Sequence, residues 1–384
     1  MTISRRALVG FAGAPLLASC APIRFGPSEA PINSEEKKER TVEVGYLRRS
    51  PTGRRLDLSH ATPIGLVIAS PHFDAKLVQT HIAETLPIEI SREFEENVPL
   101  RAPEGSVFVL VVMQAGSPLF QETAENPVVV QLRNDTQTIQ MTAMFGGIAP
   151  KAKESDPVRY KSRWECFVVC VKKESSLDLQ VSDEGKVLVV DLRTGLPSDD
   201  ESWRTTEGIR ERRLVRVNPV DGVTQRSFEA QPPGYGPSQG TMKIGLSPQV
   251  TLMTPWNPVH GWATAGQMWL TMKMNTKVVF VDLPGTVNLD LANSFSYTSA
   301  DGSPARLVKP LHINTNEIQL GRTDLIPTFE VSGQHTGAVL SFVPNGSLTV
   351  KFQEVNTITG TFTTNPEPIR FELQLVKDQS RFEE

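Results

Sequence analysis

Gly105-Ser106-Val107-Phe108-Val109-Leu110-Val111-Val112-Met113 is an apolar run, rich in β-branched residues and opened by a glycine. From Val107 onward it has no polar position to form an outer face, and its side chains suit a pleated surface, so it predicts a strand buried on both faces. Shifted by 161 positions, the run falls on Gly266-Gln267-Met268-Trp269-Leu270-Thr271-Met272-Lys273-Met274, where methionine and leucine alternate with bulkier or polar residues. The same shift lays the turn at Gly185 on the turn at Gly346. Few identities survive, but the spacing does, and it predicts two β-domains in tandem. The length of 384 residues agrees, because a single core usually stops growing at about 250–300 residues.

Each copy exceeds the roughly 100 residues of a seven-strand immunoglobulin-type sandwich. The expected fold class is therefore all-β, with two tandem eight-stranded jelly-roll β-sandwich domains. The boundaries read as an irregular N-terminal arm over 1–40, a first domain over 41–195, a linker leading into the second domain over 196–241, and a second domain over 242–384. The arm carries Pro22, Gly26, Pro27 and Pro31, then the charged run Glu35 to Arg40, and the linker carries Pro197, Pro219, Pro232, Pro233 and Gly234. Asn134-Asp135 predicts a hairpin turn, and Pro344-Asn345-Gly346 predicts another between Leu340-Phe342 and Leu348-Phe352. Asp74 to Glu84 is the best short helix candidate.

Lys plus Arg total 39 against 43 Asp plus Glu, a formal charge of -4. That balance argues against binding nucleic acid mainly through a strongly basic arm. Cys166 and Cys170 lie in one predicted strand, about 13 Å apart and beyond the roughly 7 Å reach of a disulfide, so both are expected to be free thiols. Free cysteines suit a reducing compartment such as cytosol.

A recognisable active site is not legible. Six histidines include no HxH or HExxH pair, so no metal and no cofactor are expected. His81 and Glu84 would share a face only on a helix, and Asp57, Ser59 and His60 are chain neighbours whose side chains diverge on a strand. Trp256, Asn257, His260 and Trp262 crowd one loop. Two indoles there suit stacking on sugars or bases, with Asp282 and Glu330 as candidate acids, but the stronger expectation is an interface loop. Arg210, Arg212, Arg213 and Arg216 form the densest basic cluster, a candidate contact for RNA or another subunit, although Glu207 and Glu211 interrupt it.

The N-terminus supports a separate reading. Ser4-Arg5-Arg6-Ala7-Leu8-Val9 resembles a twin-arginine export motif, Ala7 to Ser19 is uncharged and largely apolar, and Leu17-Ala18-Ser19-Cys20 resembles a bacterial lipobox. Together they imply a lipidated Cys20 and an exported, envelope-anchored binding protein.

A second resemblance covers more of the chain. Gly105 to Gln114, Trp164-Glu165-Cys166-Phe167-Val168-Val169-Cys170-Val171, Gly222-Val223-Thr224 and Gly266 to Met274 resemble strands of the large coat protein of comovirus-like, picorna-like plant viruses. The tryptophan-rich middle of that family's first domain has no counterpart between Ala115 and Lys161. This resemblance implies a structural, non-enzymatic capsid subunit of two jelly rolls. It would assemble in the host cytoplasm with copies of itself and a small coat protein into an icosahedral virion around single-stranded RNA. The sequence favours this capsid reading and keeps the lipid-anchored envelope protein as its alternative.

Overall fold

The computed structural model describes residues 38–384 apart from 59, 117–127, 136, 142–143, 147–162, 198–212, 306, 309–311, 315–322, 353–355, 378–381 and 383–384. Most of the predicted arm, with Cys20, falls outside these residues, as do Ser59, Arg210 and Arg212. The described chain is all-β, in several sheets consistent with β-sandwich packing. Among the described residues, three hydrophobic clusters lie within the single compact unit Glu39–Glu384, two in its first half and one in its second.

The first core lies between two antiparallel sheets. Its strands are β1 (Thr62–Ala69), β2 (Asp74–Ala83), β3 (Ser106–Ala115), β4 (Val129–Arg133), β5 (Thr138–Gln140), β6 (Trp164–Lys172), β7 (Asp178–Asp183) and β8 (Lys186–Asp191). One sheet runs β1-β2-β3-β6 and ends on the short strand Leu47–Arg49; the other runs β5-β4-β7-β8 and ends on Leu196–Pro197. The quoted run is β3, and every one of its ten residues is buried. Val107, Val109, Val111 and Met113 face the other sheet, while Phe108, Leu110 and Val112 face a second layer formed by Val42, Leu56, Leu58, Leu86, Phe94 and Leu100. Its partner β6 divides in the same way, with Phe167 and Val169 inward and Cys166 and Cys170 outward.

The second core uses β9 (Arg213–Asn218), β10 (Gly222–Ala230), β11 (Ser238–Thr254), β12 (Gln267–Val281), β13 (Gly285–Asp290), β14 (Phe295–Ser299), β15 (Pro304–Ala305), β16 (Thr328–Ser332), β17 (Gly337–Phe342), β18 (Gly346–Phe352), β19 (Asn356–Phe362) and β20 (Ile369–Lys377). Here the alternation of Met268, Leu270, Met272 and Met274 puts all four side chains in the core. Strands β9 and β10 fall within the stretch read as linker, and Val215, Phe228 and Ala230 belong to the second core.

Part of the strand order recurs in the pairing of the two halves. The order β1-β2-β3-β6 of the first half corresponds to β10-β11-β12-β16 in the second, and β5-β4-β7 corresponds to β15-β14-β17. Gly105 and Gly266 both sit at φ 73°, a region open to glycine at little cost. Each follows the same closed turn, with Ser106 N–H donating to Pro103 O at 3.0 Å and Gln267 N–H to Thr264 O at 2.8 Å.

Two sequence expectations are corrected. Asp74 to Glu84 is not a helix but strand β2, hydrogen-bonded on both sides. A bulge leaves Val78 unpaired against β3, which breaks the two-residue period, so that buried Leu77 and Thr80 stand three apart, a helical interval. The Pro344 to Gly346 turn also makes no hairpin. Strand β17 pairs with β14 and β20, whereas β18 crosses away to pair with β13 and β19. Residues 343–345 instead satisfy the helical turn Leu291–Ser294: Val343 N–H donates to Ser294 O at 2.8 Å, and Asp290 N–H donates to Asn345 O at 2.8 Å. The place beside β17 that a following hairpin strand would take is filled by β20, with the β18–β19 hairpin inserted before it.

Two measurements test this account. Gly346 has φ 152°, and an added Cβ would lie 2.0 Å from the backbone oxygen of Asn288, whereas a Cβ at Gly105 would meet nothing within 4 Å. Gly346→Ala is therefore expected to cost about 3 kcal/mol or more and Gly105→Ala about 1 kcal/mol, read from urea denaturation midpoints. Burial pushes the Cys166 and Cys170 thiols up to about 11. At pH 8 both should resist alkylation in the native protein and react once urea unfolds it, as counted by mass spectrometry.

Candidate functional site

Between β11 and β12 the chain makes a small hairpin in which Trp256–Asn257 pairs with Gly261–Trp262. Its tip is closed by Asn257, whose Oδ1 accepts the N–H of Val259 at 2.8 Å and of His260 at 3.3 Å, the local turn chemistry that asparagine favours. The base is fastened to the second half. Thr254 Oγ1 donates to Trp256 O at 2.7 Å, Trp269 Nε1 donates to Gly261 O at 2.9 Å, and Thr264 N–H donates to Glu330 Oε1 at 2.7 Å.

The outer side of this hairpin meets the first sandwich. Trp262 Nε1 donates to Glu184 O at 2.8 Å, in the tight β7–β8 turn where Glu184 has φ 47° and Gly185 φ 75°. Lys186 Nζ stands 4.7 Å from the Trp262 ring centre, a cation–π contact. Trp256, only 8% exposed, meets the His72 ring edge-on at 5.4 Å. The outer side of the aromatic loop packs against the first sandwich, and both sides of that contact belong to one chain. Since the indoles are engaged here, and Glu330 is bound to the loop backbone, the stacking surface for sugars is not presented as the sequence outlined it. A second tie runs from the chain end, where Phe382 O accepts from Gln114 Nε2 at 3.1 Å and Arg163 Nη2 at 3.2 Å.

Beneath Trp256 lies a polar cluster that sequence reasoning missed. Asp183 Oδ2 accepts from Ser70 Oγ at 2.6 Å and from the backbone N–H of His72 at 2.7 Å. Its Oδ1 lies 2.9 Å from His72 Nδ1, and Glu184 Oε1 lies 3.6 Å from the same nitrogen. The His72 and Asp183 side chains are 7% and 1% exposed. His72 and Asp183 are separated by 111 residues, and neither has a local motif around it. The turn at Gly185 was the one legible signal.

The remaining candidates separate. Arg213 and Arg216 both lie on β9, three residues apart, so they project to opposite faces. Arg213 Nη1 donates to His335 O at 2.8 Å. His81 sits on a strand with Nδ1 3.4 Å from His60 O, and Glu84 pairs with Lys173, so the two share no helix face. Tyr297, His335 and Asp301 form a further row, with Tyr297 Oη 3.0 Å from His335 Nδ1 and His335 Nε2 3.8 Å from Asp301. Burial pushes the Tyr297 phenol up to about 12, and hydrogen bonds from Ser299 and Ser303 hold the Asp301 carboxyl down at about 2. A phenol held neutral beside a firmly ionised carboxylate suits a structural network, not an activated nucleophile.

No protein-family model, curated protein or solved structure matches this chain.

Asp183→Ala removes the acceptor of three donors and is expected to cost about 3 kcal/mol. Trp262→Phe keeps the ring but loses the bond to Glu184 O, for about 1 kcal/mol. Denaturant midpoints for both variants, compared with wild type, check the order of the two effects.

Proposed function

We propose that the chain is a non-catalytic β-sandwich protein held at a bacterial envelope through a lipidated Cys20, binding a ligand or scaffold through its sheet edges and loops. The observation that carries this reading is the arrangement around Cys20. An export-like motif and lipobox precede it, a Pro-rich and charged stretch follows it, and the first paired strand among the described residues is Arg40–Thr41. That order is the one a tethered body needs. The junction at Trp256 and Trp262 supports the same reading, because it joins the two halves into a single unit for one tether to carry. Cys166 and Cys170 are compatible with an oxidising compartment: both are buried and too far apart along β6 to pair.

The second reading is a two-domain capsid subunit enclosing RNA with a small coat protein, and the tandem strand order favours it. In a jelly roll most consecutive strands alternate between the two sheets. Here β1, β2 and β3 share one sheet, and β7 and β8 share the other. For that reason the envelope reading stands first.

Expression of the full chain in a bacterium with twin-arginine export separates the two. The envelope reading expects a membrane-bound product whose N-terminal peptide begins at a diacylglyceryl Cys20, with both effects lost in Cys20→Ser and export blocked in Arg5→Lys/Arg6→Lys. An unprocessed cytosolic chain starting at Met1 or Thr2, forming uniform shells by electron microscopy when coexpressed with a small coat protein, would overturn it.

A further inference from the structure

The cluster beneath Trp256 has the donor set and spacing of a metal site. One ligand atom from each of His72, Asp183 and Glu184 lies within 4.8 Å of the other two. A tetrahedral cation with bonds of about 2.0–2.2 Å to nitrogen and oxygen requires ligand atoms about 3.3–3.6 Å apart. The distances from His72 Nδ1, 2.9 Å to Asp183 and 3.6 Å to Glu184, bracket that edge, so a shift of a few tenths of an ångström in one carboxylate admits the ion.

A second and independent observation is the charge. Two carboxylates face one imidazole in a site where Asp183 is 1% and Glu184 19% exposed. Among the described residues, no lysine or arginine forms an ion pair with either acid, and His72 is their one ion-pairing partner. The two acids, one buried and one partly buried, carry more negative charge than a single imidazole can offset, an arrangement that a counter-ion relieves. A divalent cation balances both acids.

The surroundings are those of a supported ligand set. Ser70 Oγ and the His72 backbone N–H hold Asp183 Oδ2, which fixes Oδ1 toward the imidazole. Glu184 is held in the β7–β8 turn at positive φ, with its carbonyl accepting from Trp262. The Trp256 edge packs on the His72 ring. We propose that His72, Asp183 and Glu184 bind a first-row divalent cation of the Zn2+ class, pinning the β1–β2 turn to the β7–β8 turn at the junction between the halves. On binding, Nδ1 donates its lone pair to the metal and neutral His72 carries its hydrogen on Nε2. The imidazole selects against Mg2+ and Ca2+, which prefer a larger shell of oxygen ligands.

The test is thermal unfolding of the untagged full chain after chelator treatment and buffer exchange. Zn2+ at a hundredfold excess over Kd should raise Tm by roughly 3–6 °C, while equal Mg2+ leaves it unchanged. Co2+ should give the visible d–d absorption of a four-coordinate site, titrating at one ion per chain. Glu184→Gln keeps the turn and its carbonyl, so it should retain the metal-free Tm within about 2 °C and lose both the Zn2+ shift and the Co2+ band; His72→Gln should lose both as well. A wild-type protein with neither signal, or a shift that Glu184→Gln and His72→Gln retain, would overturn the proposal and leave a self-contained hydrogen-bonded cluster.

Discussion

Two adjacent strands that are apolar on both faces constrain the whole first half. Strands β3 and β6 cannot leave either face in water, so one face must be covered by β4, β7 and β8 and the other by the chain from Val42 to Ala102. Each fully buried Val, Leu or Phe contributes about 1.5–3 kcal/mol on removal from water. A ladder carrying Val107 to Met113 against Cys166 to Val171 therefore dominates the stability of its neighbourhood. The three-layer form of this half, with an irregular cover over a two-sheet sandwich, follows from that covering requirement.

The second half meets its requirement differently. Strand β12 sends Met268, Leu270, Met272 and Met274 into the core from one face, so that face suffices, and the sheet continues sideways through β9 and the β18–β19 hairpin to surround that core. The related strand orders share one plan, and the insertion before β20 is where they diverge. The tight β7–β8 turn of the first half then serves as the landing point for the loop of the second, through Glu184 and its neighbours.

Function follows from how those contacts are distributed. The aromatic side chains that looked available for a ligand close the junction inside the chain, and the basic residues of β9 are divided between two faces. The convergent polar chemistry at this junction is the His72, Asp183 and Glu184 cluster, built where turns from opposite sheets meet. The proposed binding role would rest on surfaces outside the junction.

The sequence alone determined the strand character of Val107 to Ala115 and Trp164 to Val171, the turn at Gly185, and the isolation of the two strand cysteines. These are local properties, written in side-chain periodicity and in backbone angles that only particular residues accept. Tertiary structure decided the rest. A bulge at Val78 hid a strand behind helical spacing, and Gly346 began a crossover because residues 343–345 were needed by a helical turn half a domain away. His72 met Asp183 across 111 residues of chain. Such pairings depend on which surfaces remain uncovered once the strands have packed, and no window of sequence contains that information.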